Sequence, residues 1–332
     1  MKKEIKLIDI FYGNKCNLAC NNCDTHSDVI TTKELDPELE NIKESIRLTF
    51  DHFEVDIWAL LGGEPLLYLE KIEKIISYVR SLDPEKTLLM ATNGTLISKN
   101  LDRLAYLITK YKIHLQVSDH YVNFKDKSKS EKIFQSVAKL ASLLEIKKMT
   151  NGKEWWEQVV DLESGGAEWQ EHIRIAGAAW DNEKSWIGDN FGIFYVGIGT
   201  FQTIHNYNEE GKPKPFNSPN PKDSYWNSCP GKFCSLLRDK KIYKCAALGT
   251  LESYLRVFDS LSDADWKKYL TYKPLDLENC TREEIDRFVG RLYCHIDECS
   301  MCPQNSIEII KTEEQVLPKY RKSKTVNIVP KS

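Results

Sequence analysis

An α/β fold, with a parallel sheet covered by helices and a smaller cysteine-rich unit after it, is predicted for this chain of 332 residues. Two observations predict it. The first half alternates short apolar, β-branched runs with stretches whose apolar residues recur at helical spacing, so strand–helix units follow one another four times. Beyond residue 210 the alternation stops, a proline-rich stretch intervenes, and seven of the ten cysteines crowd into what remains.

The elements are justified in order. Ile5 to Phe11 reads as a strand, and a cysteine loop follows it. Pro37 to Phe53 is a helix with Leu39, Ile42, Ile46, Phe50 and Phe53 on one face; Asp36 ahead of Pro37 fits an N-cap followed by proline at the first helical position. Ile57 to Leu61 is a strand, Tyr68 to Leu82 a helix, Thr87 to Ala91 a strand and Lys99 to Tyr111 a helix. Ile113 to Val117 and Glu131 to Leu144 complete the fourth unit, with chemistry expected at the C-terminal strand ends. Further strands are expected over Gln158 to Leu162, Ile173 to Ala176 and Gly192 to Thr203. The sequence GKPKPFNSPNP, with four prolines, predicts a linker. The domain bounds expected are 1–210 for the barrel core, 211–222 for the linker, 223–310 for the cysteine-rich unit and 311–332 for a basic tail.

The length is about two average domains at ~150 residues each. Lys+Arg 46 against Asp+Glu 49 leaves a net charge of -3, so no basic field draws the chain to nucleic acid or an anionic membrane. No run approaches the ~20 apolar residues that span a bilayer, and the N-terminus lacks the apolar core of a secretory signal. The expectation is a cytoplasmic protein with neither a nucleic-acid nor a membrane partner. Ten cysteines in such a compartment point to metal rather than disulfides.

Cys16, Cys20 and Cys23 lie within eight residues, and Cys229, Cys234, Cys245, Cys280, Cys294, Cys299 and Cys302 follow after a gap of 205 residues. Burial as small hydrophobes would scatter cysteines along the chain, so two separate metal centres are expected. Three thiolates on a loop after a strand suit a cuboidal four-iron cluster with one iron left open, or a zinc ion.

The Cys16-x3-Cys20-x2-Cys23 loop, Leu61-Gly62-Gly63-Glu64-Pro65 and Ala91-Thr92-Asn93-Gly94-Thr95-Leu96 together resemble the radical S-adenosylmethionine (SAM) superfamily over residues 5–200. The resemblance implies a partial (β/α)6 radical SAM barrel. It implies that Cys16, Cys20 and Cys23 hold a 4Fe-4S cluster whose open iron chelates SAM, with Gly62, Gly63 and Glu64 receiving the methionine amino group. It extends the cofactor site to Asn93 and to Ser118 and Asp119 at the fourth strand end. The mechanism it implies is reductive cleavage of SAM to a 5'-deoxyadenosyl radical that abstracts a substrate hydrogen, the electron coming from a flavodoxin or ferredoxin. The chain departs from the family at Asn22, where an aromatic residue usually precedes the third cysteine; Tyr12 and His26 are the replacements considered, and Gly197-Ile198-Gly199 is the candidate for adenine contact.

Cys234 to Cys245 suggests a hairpin turning at Asp239-Lys240. With Cys294-x4-Cys299-x2-Cys302, this tail resembles the SPASM or twitch appendage of the same superfamily, implying at least one auxiliary 4Fe-4S cluster. Lys240 stands where a glycine is expected. The preferred ligands are Cys234, Cys245, Cys299 and Cys302, with Cys229 or Cys294 as replacements; a zinc ribbon is the structural alternative. Cys280, isolated ahead of a helix, suits a buried or capping place, with hydrogen-atom donation to a product radical as its functional alternative.

Five of the eight tryptophans (Trp155, Trp156, Trp169, Trp180 and Trp186) lie within 32 residues, as a core or lid or as an aromatic platform. Only fifteen residues precede Cys16, so no precursor-binding module of peptide-modifying relatives is expected there. The reading is oxidation or epimerisation of a small molecule such as a sugar, nucleotide or aminoglycoside-like compound. The alternatives are a peptide- or protein-modifying maturase and a non-catalytic zinc-binding protein.

Overall fold

The computed structural model describes residues 2–21, 23–30, 36–146, 148–151, 184–188, 190–198, 200–202, 206–229, 232, 234–310 and 312–316. The chain forms two compact units, one of Met1–Asp56, Leu61–Gly63 and Thr200–Ser332, the other of Ile57–Leu60 and Glu64–Gly199.

The four strand–helix units are present in the order expected. β1 (Lys3–Phe11) precedes the cysteine loop, and α1 (Leu39–His52) buries Ile42, Ile46 and Leu48. β2 (Phe53–Leu61) starts where the helix stops, so Phe53 opens a strand instead of closing a helix. α2 (Leu69–Leu82) buries Ile72, Ile75, Ile76 and Val79, each contributing about 1.5–3 kcal/mol. β3 (Thr87–Thr92), α3 (Leu101–Tyr111), β4 (Ile113–Asp119) and α4 (Ser128–Leu143) follow.

One correction concerns the start of α1. Its N-cap is Glu38, which makes no side-chain cap bond. Asp36 lies too far back to reach the first free amides; its carboxylate accepts the Asn14 backbone N–H (2.6 Å) and side-chain amide (3.3 Å) instead.

β5 (Lys148–Asn151), β6 (Lys184–Ile187) and β7 (Gly192–Gly197) come next. The strands expected over 158–162 and 173–176, and Trp155, Trp156, Trp169 and Trp180, lie outside the described residues. Trp186 is buried, its ring 5.7 Å from that of Phe134, which is a core placement. The single strand expected from Gly192 to Thr203 is two: β8 (Thr200–Gln202) belongs to the other unit.

β9 (Asn206–Tyr207) pairs antiparallel with β10 (Pro213–Lys214). The stretch expected as a linker is tied down: Phe216 N–H donates to Met301 O (3.0 Å) and Ser218 N–H to Ser300 O (2.8 Å). β11 (Ser235–Arg238) and β12 (Lys241–Tyr243) form the expected hairpin, with Asp239 and Lys240 at φ 51° and 58°, a two-residue turn with both residues left-handed. α5 (Ala246–Val257), β13 (Leu275–Asp276), α6 (Arg282–Leu292) and β14 (Glu308–Ile310) follow.

In the first unit the strand order is β13-β12-β11-β1, with β1 and β11 parallel in the register Ile8↔Ser235, Asp9↔Leu236. β14 pairs antiparallel with β8. A core of Leu251, Tyr254, Leu255, Trp266, Tyr269 and Met301 surrounds α5, and Cys245, Cys299 and Cys302 pack against it. In the second unit the order is β2-β3-β4-β7-β6-β5. β2, β3, β4 and β7 run parallel, while β6 and β5 add an antiparallel edge. The fold is mixed α/β with a parallel sheet as its main component.

α6 begins with a capping box: Thr281 Oγ1 accepts from Glu284 N–H, and the Glu284 carboxylate accepts from Thr281 N–H. Thr281→Ala is expected to cost about 1 kcal/mol, seen as a lower urea midpoint.

Candidate functional site

In the first unit, the loop after β1 presents Cys16, Cys20 and Cys23, all half-buried. It is moulded onto the end of β2. Tyr12 N–H donates to Leu61 O (3.2 Å), Gly63 N–H to Gly13 O (2.9 Å), Tyr12 OH to Gly63 O (2.8 Å) and Thr25 OH to Gly62 O (3.2 Å). The two glycines are required by this approach: a Cβ on Gly63 would stand 2.1 Å from Lys15 O, and one on Gly62 2.4 Å from Gly13 O. Their carbonyls, expected to receive a ligand ammonium, each already accept one hydroxyl.

Cys23 Sγ lies 3.2 Å from Thr25 Oγ1, and Leu18 N–H donates to Cys16 Sγ (3.4 Å). Burial, then Asp24 and Asp28, pushes the Cys23 thiol up to about 12, with Cys16 adding to it. Thiolates so crowded by negative charge are stabilised by a cationic core, so the donor set fits a metal group. Of the two residues considered for the missing aromatic, Tyr12 sits under the glycine turn. His26 stacks on Tyr254 (ring centroids 4.1 Å), with Nδ1 2.7 Å from Thr250 Oγ1 on α5.

In the second unit the structure brings Glu64 and Asn93 together. Glu64 is 1% exposed. Its carboxylate accepts Thr92 OH (2.6 Å), Leu66 N–H (3.1 Å) and Asn93 N–H (2.9 Å), so it holds the turn after β3 as well as its own. Asn93 Oδ1 accepts Thr95 N–H and OH, and Gly94 takes φ 76°. Burial raises the Glu64 carboxyl from 4.5 to about 7, against the pull of those three donors.

That shift has a direction in pH. The fold favours the protonated acid, so its contribution is fully present below pH ~4.5 and is lost as pH rises through about 7, on the order of 2–3 kcal/mol. Glu64→Gln is expected to flatten the fall in urea midpoint between pH 5 and 8; an unchanged pH profile would contradict this.

Asp119 is fully buried and accepts Tyr195 OH (2.6 Å), Tyr121 N–H (2.8 Å) and Ser130 OH. Ser118 Oγ accepts from Gln116 (3.3 Å). Gly197 pairs with Asp119 in register, where a Cβ would meet Val122 at 2.8 Å; Gly199 lies outside the described residues.

In the first unit again, Cys229, Cys245, Cys299 and Cys302 line one pocket. Cys229, expected only as a replacement, stands on this wall where Cys234 was preferred. Cys234 precedes β11 and, by strand alternation, shares a sheet face with Leu236 and hence with Asp9. Burial and then Asp9 push its thiol well above the ordinary range. Cys245 stands at the N-cap of α5 and makes no side-chain cap bond; burial, then Cys229, pushes it up to about 11. Cys299 is raised to about 11, and Cys302 is raised by burial and the other three thiols. Cys294, past the end of α6, contacts Gly290 O and Arg291 O, and Cys280 is half-buried ahead of that helix, whose cap is Thr281. Among the described residues, no group of three or more His, Cys, Asp or Glu side chains is disposed as around a single metal ion.

Sequence reasoning missed Asp9, a buried carboxyl on β1 that burial and Asp24 raise to about 8, and Lys244, buried on the four-thiol pocket. A charge inside an otherwise apolar strand run was the available signal for Asp9.

Residues 10–162 match the family described as the Radical SAM superfamily. A GTP 3',8-cyclase from Aquifex aeolicus (strain VF5) is 27% identical over 150 residues, 44% of this chain and 44% of the relative. The solved structure "Native anSMEcpe with bound AdoMet" is similar at 22% identity and TM-score 0.32, over 42% of this chain and 40% of that one. Streptococcus suis SuiB is similar at 12% identity and TM-score 0.36, over 87% and 67%. The match to the cyclase thus spans less than half of that protein's length, and at these TM-scores the two structural likenesses carry no functional argument. The family match covers 153 of the 332 residues, a little under half of the chain.

Proposed function

We propose that the chain is a radical SAM enzyme in which Cys16, Cys20 and Cys23 hold a 4Fe-4S cluster. The observation that carries the reading is the three-thiol loop inside the matched domain, moulded onto a Gly62-Gly63 turn that admits no side chain. When bound, the cluster supplies one electron to the sulfonium of SAM, giving methionine and a 5'-deoxyadenosyl radical that takes a hydrogen atom from substrate. The chain's own groups orient and enclose. Gly62, Gly63 and Glu64 are assigned to the methionine amino group, and Asn93, Ser118 and Asp119 to the rest of the cofactor. Glu64 Oε1 is filled by Thr92 OH and Leu66 N–H, and Oε2, which accepts Asn93 N–H, keeps one acceptor position.

Cys229, Cys245, Cys299 and Cys302 are assigned to an auxiliary 4Fe-4S centre in a SPASM- or twitch-like C-terminal domain; four thiols on one pocket wall support this set. The resemblance assigns residues 5–200 to a partial (β/α)6 radical SAM barrel followed by that appendage. The substrate is a small molecule that is oxidised or epimerised, and the relative's name, GTP 3',8-cyclase, is in keeping with a nucleotide or similar compound. The electron comes from a flavodoxin or ferredoxin in the cytoplasm.

Anaerobic purification and reconstitution test the metal assignment. Brown protein with roughly eight irons and eight sulfides per chain is expected from two four-iron centres. Colourless protein holding zinc and no sulfide would refute it.

A further inference from the structure

We propose that Lys244 raises the reduction potential of the metal centre held at the four-thiol pocket. The inference rests on the assignment of Cys229, Cys245, Cys299 and Cys302 to an iron–sulfur centre.

Lys244 is 6% exposed and lines the pocket with the four cysteines. Its ammonium is pinned. It donates to Arg291 O (3.1 Å) and to Leu292 O at the end of α6, where helix carbonyls are left without amide partners. It also lies 4.9 Å from the Tyr225 ring centroid, and its backbone N–H donates to Tyr272 OH (2.9 Å). Burying an ammonium is costly unless negative charge compensates it, and carbonyl dipoles compensate only in part. An iron–sulfur centre on four thiolates is anionic and becomes more so on reduction. A fixed positive charge in a low-dielectric wall therefore favours the reduced state.

The rest of the wall acts in the same direction on balance. Lys232 is a second ammonium on it, against the one carboxylate of Glu298. The N-terminal loop carries charge of the opposite sign, since Asp24 and Asp28 act on Cys23 as negative neighbours. The two centres are thus biased apart, low at the N-terminal loop and high at the pocket.

The test uses the full chain carrying Cys16→Ala, Cys20→Ala and Cys23→Ala, reconstituted with iron and sulfide so that only the pocket centre is filled. Its potential is read by redox titration monitored by electron paramagnetic resonance. Lys244→Met is expected to shift the midpoint to more negative values and Lys244→Arg to restore it. An unchanged midpoint in Lys244→Met at equal iron content overturns the proposal. If Lys244→Met loses iron, Lys244→Gln and Lys232→Met carry the test, with negative shifts expected and no shift in either overturning it. If the parent triple variant binds no iron and sulfide, the pocket assignment itself fails, and the inference with it; iron content reads that failure and the midpoint reads the other.

Discussion

Cys20→Ala is expected to reduce 5'-deoxyadenosine formation from SAM and dithionite by at least ~100-fold, beyond the ~10–100-fold that loss of an outer-shell partner costs at metal sites. The reason is stoichiometric. Three cysteines are available on the loop, and a cuboidal cluster with one iron reserved for a small ligand has no spare protein donor. The remaining thiols sit in a loop where burial, then Asp24 and Asp28, already pushes Cys23 up to about 12, so two thiolates are a poor substitute for three. Iron bound at the C-terminal pocket should stay, because Cys229, Cys245, Cys299 and Cys302 are untouched. A variant with wild-type product formation would remove Cys20 from the cofactor site.

Gly63→Ala is expected to be nearly as damaging without removing any ligand. Its Cβ would stand 2.1 Å from Lys15 O and 2.5 Å from Lys15 C. Both are backbone atoms of the cysteine loop, so no rotamer relieves the clash and the loop itself must move. Overpacking of this kind costs about 1–3 kcal/mol. Here the displaced segment carries Cys16, so iron retained at the N-terminal centre should fall with stability. Gly290→Ala is the control: a Cβ there meets nothing within 4 Å, and within α6 it should stabilise by about 0.5–1 kcal/mol. Equal iron content in Gly63→Ala and wild type would contradict the role given to the turn.

Much of this was legible in the sequence because the signals are local. Period 3.6 in Ile72, Ile75, Ile76 and Val79 marks a buried helix face whatever lies across from it, and Asp239-Lys240 between two apolar pairs marks a hairpin. The spacing of the cysteine clusters alone raises the expectation of two metal centres. What spacing does not contain is the arrangement in space of residues far apart in sequence. Cys229, Cys245, Cys299 and Cys302 spread over 74 residues of sequence, and only folding places them on one pocket wall. Lys244 looked like one of many surface lysines until α6 supplied the two carbonyls that hold it. The Asp36 cap failed for a related reason, because Asn14 in the cysteine loop competes for the carboxylate. The antiparallel edge of β5 and β6 depends on pairing with β7, which no local run of Lys148 to Asn151 specifies.

The most direct test of the central claim is the fate of SAM itself. Wild-type protein, reconstituted anaerobically and given SAM with dithionite, is expected to release 5'-deoxyadenosine and methionine in equal amounts, more than Cys20→Ala under the same conditions. Iron- and sulfide-replete protein that leaves SAM intact, or forms no more 5'-deoxyadenosine than Cys20→Ala, would contradict the account.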